Sequence, residues 1–100
     1  MTDYRERFLI VTFTWKETPK IVELKPIFNT ALDWARIAPN TWILWTNNSP
    51  VVWYNHLRHH MTKEDSVLIA ELNLTEVAEN YVGFYPKWVW DWIDKHRSSG

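Results

Sequence analysis

Two tryptophans placed three positions apart in one short segment constrain this fold more than any other feature. Residues 41–46, TWILWT, are dense in β-formers and read as a strand. Side chains alternate along a strand, so Trp42 and Trp45 point to opposite faces of the sheet it joins. Either Trp42 with Leu44, or Ile43 with Trp45, faces the helices. The other tryptophan is set on the sheet's second face, where it serves core, an interface with a partner, or a stacking platform for bases. The chain carries eight tryptophans in 100 residues, and 46% of its residues are apolar, so a real core needs no staples.

The remaining segments place that strand third of four. Residues 8–14, FLIVTFT, are β-branched and aromatic and form a first strand. Thr18-Pro19 reads as an N-cap with proline at the first helical position, and Ile21, Leu24, Ile27, Phe28, Ala31 and Leu32 follow at helical spacing. Pro26 falls within this run, so a start near Lys25 is an equal alternative. Residues 34–38 suit a second strand, closed by the turn Pro39-Asn40. The run Asn47-Asn48-Ser49-Pro50 caps a second helix, in which Val51, Tyr54, Leu57, Arg58 and Met61 recur at helical spacing. After the polar turn Lys63-Glu64-Asp65, residues 66–72, SVLIAEL, form a fourth strand.

Residues 75–80 fit a single helical turn that Gly83 breaks. Tyr85-Pro86 then opens KWVWDWIDKH. Tyr85, Val89, Trp92, Ile93 and His96 favour a helix there, whereas the alternation of Trp88, Trp90 and Trp92 favours a strand; the helix is preferred. No single helix face can bury all three of those tryptophans. The expected fold is α+β and ferredoxin-like, βαββαβ: a four-stranded antiparallel sheet with two helices on one face, plus a C-terminal element. It occupies one domain over residues 1–96, followed by a flexible tail at 97–100. The second sheet face needs a cover, which a second subunit could supply.

Composition narrows the function. With no cysteine, disulfides and thiolate metal sites are impossible. The N-terminal segment lacks the order of a signal peptide, and no apolar run approaches the roughly 18 residues of a membrane span, so a cytoplasmic protein without membrane contact is expected. A net charge of −1 disfavours nucleic-acid binding by bulk electrostatics. Two glycines leave no phosphate-cradling loop, and no nucleophile motif accompanies any Ser or Thr.

Two clusters stand out. His56 and His60 are spaced i, i+4, as a helical zinc pair would be, with Glu64 a further i+4. No glutamate follows the first histidine as a hydrolytic site requires, and a solvated polar face accounts equally for the pair. No metal site or cofactor is expected. Arg58, His59, His60 and Lys63 form the chain's only basic cluster and could contact phosphate, more strongly as pH falls into histidine's titration range.

The strand FLIVTFT, the strand TWILWT, the Lys63-Glu64-Asp65-Ser66 turn into VLIAEL and the ending YVGFYPKWVWDWIDKH resemble the small Cas2-like, SinR-like ferredoxin-fold proteins. The resemblance covers residues 7–96. It implies a homodimer made through the sheets. In catalytic relatives an aspartate at the end of the first strand binds a divalent metal at the dimer axis, and Thr14 stands at the matching position. A neutral hydroxyl is no anchor for a hard cation, so nuclease activity is not expected and no catalytic residue is assigned. The expected function is a non-catalytic, homodimeric binding protein for a protein partner, nucleic acid or nucleotide, in a phage–host defence setting on the resemblance alone. Trp45 and Trp90 would make apolar contacts, and Arg58, His59, His60 and Lys63 phosphate contacts. The alternative is a metal-dependent endonuclease of the Cas2 or toxin type.

Overall fold

In a computed structural model, which describes residues 5–74 and 81–99, the four strands and both crossover helices fall in the expected order. Strands β1 (Arg7–Thr14), β2 (Asp33–Ala38), β3 (Thr41–Thr46) and β4 (Ser66–Leu72) form one antiparallel sheet in the order β2-β3-β1-β4. Helix α1 (Ile21–Phe28) follows β1, α2 (Pro50–Leu57) follows β3 and continues into a 3-10 turn at Arg58–His60, and α3 (Lys87–Ser99) ends the chain. This is the ferredoxin-like α+β arrangement with an added terminal helix. The expected turn at 75–80 lies outside the described residues.

Register fixes the faces. Leu9 stands opposite Leu44 and Val11 opposite Trp42, so Leu9, Val11, Phe13, Trp42 and Leu44 share one face. Leu24 and Phe28 of α1, and Trp53 and Leu57 of α2, close over it and complete a buried cluster. The buried side of α2 differs from the expected one: Val51 and Tyr54 are exposed, and Trp53 takes the inward position. Its indole N–H donates to Thr46 Oγ1 at 3.1 Å, an acceptor that lies on the sheet side of the helix.

The two helix starts differ. Ser49 caps α2, its hydroxyl accepting from Val52 N–H at 3.4 Å, with Pro50 in the first turn. Thr18 does not cap α1. That helix begins after Lys20, without a side-chain cap, and Pro26 lies inside it. The preceding loop is held elsewhere, by Lys16 N–H donating to Asp65 Oδ1 at 2.9 Å, which fixes where the chain can turn into the helix.

The second face carries Phe8, Ile43 and Trp45, and α3 covers them with Val89 and Ile93. The residues 87–96 are thus helical, and the helix runs on through Arg97, where the sequence predicts a tail. Arg97 donates to Leu74 O and pairs with Asp94 and Tyr81. At this end the chain itself supplies the cover expected from a second subunit. Farther along the same face Ile10 and Ala70 are half-buried and Leu68 is 60% exposed.

Candidate functional site

The end of α2 sets up the site. The helix tightens after Leu57, and Met61 N–H bonds to Arg58 O at 3.2 Å, so residues 58–60 wind as a 3-10 turn. This winding breaks the i, i+4 alignment of His56 and His60 that a continuous α-helix would give. His56 remains exposed, and His60 turns toward α1, with Nδ1 3.5 Å from Glu23 Oε2. Among the described residues no three His, Asp or Glu side chains converge as a metal site would require.

Beyond the turn, Asp65 organises the chain. Its Oδ2 accepts Thr62 N–H at 2.9 Å, while Oδ1 accepts Lys16 N–H, so one carboxylate ties the turn at 62–65 to the loop after β1. Those two backbone donors hold its pKa below the ordinary aspartate value. Both oxygens accept N–H groups, and among the described residues Asp65 makes no ion pair with the basic residues beside it.

Those basic residues line a groove of about 560 Å3 between α2 and the start of β4. Arg58, His59 and Lys63 are exposed in its walls with Tyr54 beside them, and none of the three has an ion pair among the described residues. Three of the four basic residues singled out in the sequence therefore come together, and His60 does not join them. Tyr54, 49% exposed, is an addition the sequence did not flag, because its spacing reads as core.

The two tryptophans singled out lie elsewhere. Trp45 is buried under α3, its ring stacked on His96 at 5.3 Å between centroids. Trp90 is half-buried on α3, its indole N–H donating to Tyr85 O at 3.2 Å. A Cβ at Gly83 would stand 3.7 Å from the Trp90 ring, so the loop before α3 passes close over it. Neither tryptophan reaches the basic groove. Thr14 is exposed at the end of β1, opposite Ser66.

A second cationic region, around Arg5, Arg7 and Arg97, is internally neutralised. Arg5 holds both oxygens of Glu71, at 2.9 and 3.0 Å, and Arg7 reaches the same carboxylate at 3.5 Å. At the first groove, by contrast, Arg58 and Lys63 have no ion pair among the described residues, and His59 stands exposed beside them. No helix among the described residues is long and apolar enough to cross a membrane. Comparison with family models, with curated proteins and with solved structures finds no match to this chain.

Proposed function

We propose that this chain is a non-catalytic binding protein that engages a phosphate group, carried by a nucleotide or a single-stranded nucleic acid, through Arg58, His59 and Lys63. The observation that carries the reading is the grouping of Arg58, His59 and Lys63 in one groove, with no ion pair to any of them among the described residues, next to a carboxylate whose oxygens accept backbone N–H groups. A planar guanidinium and two further N–H donors are suited to phosphate oxygens. With a net charge of −1, affinity must come from this local cluster and not from the chain's overall field.

The same reading takes the chain as Cas2-like and homodimeric, resting on the sequence resemblance and on the strip of Ile10, Leu68 and Ala70 that α3 leaves open. It takes the protein as non-catalytic because Thr14 offers no charged oxygen to a divalent cation.

The test is a titration of a labelled single-stranded oligonucleotide at two salt concentrations, with and without magnesium. Expected are reversible binding that weakens with salt, no cleavage, and a loss of about tenfold in affinity for Arg58→Ala or Lys63→Ala, the scale of one charge-assisted hydrogen bond. Unchanged affinity in both variants would sink the site. Chelator-sensitive cleavage would sink the non-catalytic reading.

A further inference from the structure

The turn at 62–65 has a groove on each side. Opposite the basic groove, a second one of about 380 Å3 runs between this turn and the loop after β1, with Trp15, Lys16, Lys20 and Glu64 in its walls. Thr62, Lys63 and Asp65 line both. The two grooves adjoin along one short piece of chain, and Lys63 stands at their junction.

Their charges differ. In the first, Arg58, His59 and Lys63 face Asp65 alone. In the second, Lys16, Lys20 and Lys63 are equal in number to Glu17, Glu64 and Asp65, with no ion pair between them among the described residues. A phosphate is drawn to the first, whereas the balanced second groove suits an uncharged group that both donates and accepts hydrogen bonds. Trp15 adds an aromatic wall to that second groove. Phe13 stacks on the indole at 4.6 Å between centroids and 13° between planes, which holds the ring in place, and the side chain is only partly buried. Phe13 covers one face of the indole and its N–H is buried, so the ring offers the groove its remaining surface, against which the π-face of a planar heterocycle can pack.

We infer that the Trp15 groove is the base-binding subsite of a nucleoside phosphate whose phosphate lies against Arg58, His59 and Lys63. The inference rests on the phosphate reading of the first groove and names the class of ligand it takes. The base enters between Trp15 and the turn, and the phosphate lies beyond Lys63. A free mononucleotide and one unit of a single strand share this chemistry.

Calorimetric titration with inorganic phosphate, adenosine, AMP and a short oligoadenylate separates the possibilities. AMP is expected to bind about tenfold more tightly than phosphate, the gain of one stacked base. Trp15→Ala should reduce AMP to the affinity of phosphate and leave phosphate binding unchanged, and Trp15→Phe should keep most of the gain. Thr18→Trp, at an exposed position in the groove wall, should block the base without touching the core and give the same loss. Arg58→Ala should weaken phosphate and AMP while leaving adenosine unaffected. AMP binding no tighter than phosphate, or AMP affinity unchanged in both Trp15→Ala and Thr18→Trp, would overturn the base subsite while the phosphate site stands. Absence of phosphate binding would overturn both. A much tighter oligoadenylate assigns the ligand to a single strand, and equal affinities assign it to the mononucleotide.

Discussion

Nε2 of His96 stands 2.7 Å from Oδ2 of Asp33, so the last turn of α3 is tied to the first residue of β2. The same oxygen accepts the Trp92 indole N–H at 3.0 Å, and Oδ1 accepts Trp34 N–H at 2.8 Å. His96 also lies flat on Trp45, which places the imidazole between the second sheet face and the helix that covers it. One carboxylate at the start of β2 thereby fixes the helix over the tryptophan that the neighbouring strand β3 sets on the sheet's far side.

This contact predicts an acid-sensitive stability. Partial burial acts to raise the Asp33 pKa, but hydrogen bonds from His96, Trp34 N–H and Trp92, together with the His96 charge, outweigh it and hold the carboxyl below its ordinary value. A folded-state pKa below the unfolded one, about 3.9, gives stability that is present above that pH and is lost as pH falls through the folded value. Urea midpoints of the native chain should therefore fall as pH drops below about 4, and Asp33→Asn should flatten that limb while lowering the plateau near neutrality. Equal slopes in the two proteins would remove Asp33 as the cause.

Thr46 should matter more than its size implies. It is buried, and its hydroxyl accepts both the Trp53 indole N–H and Asn48 N–H, each at 3.1 Å. Thr46→Val conserves volume but strands a buried indole donor, at a cost of about 1–3 kcal/mol. In a Trp53→Phe background the same change should cost clearly less, because the donor is gone. A double-mutant cycle by chemical denaturation measures the difference, and full additivity would deny the bond.

Local chemistry made much of the fold legible. Ser49-Pro50 caps α2 as read, and β3 and β4 keep their expected bounds, because β-former density and turn residues act over a few neighbours. The failures have long-range causes. Thr18-Pro19 carries cap chemistry, but the loop is held by a carboxylate 49 positions away, and α1 starts two residues later than that cap implies. The pattern in α3 shows an apolar stripe of Val89, Ile93 and His96, yet nothing local says which surface the stripe covers. The basic cluster was legible because Arg58, His59 and Lys63 are nearly contiguous. The Trp15 groove was not, because it joins the end of β1 to the turn before β4.

Pro26 carries a separate expectation. It is the sixth residue of α1, where a backbone N–H would bond to the carbonyl of Val22, and proline has none. The position is exposed, so no core contact depends on the ring. Pro26→Ala should restore that bond and stabilise the chain by about 1–3 kcal/mol, somewhat offset by the freer unfolded state. Denaturant midpoints decide it, and a destabilised variant would mean that the ring packs in a way the exposure does not reveal.

The uncovered end of the second face supplies the remaining test. Helix α3 seals Phe8, Ile43 and Trp45, but Leu68 on the edge strand β4 is 60% exposed, with Ile10 and Ala70 half-buried on the same face. A second copy laid over this strip would bury apolar surface that one chain leaves to water, and a charge placed there would have to be desolvated in the dimer but not in the monomer. Leu68→Glu should therefore leave the fold and its unfolding midpoint at high dilution nearly unchanged while shifting a dimer to monomer in sedimentation equilibrium. Because Leu68 contributes little to the buried core, a loss of fold would be as damaging to this account as a native chain that sediments as a monomer throughout.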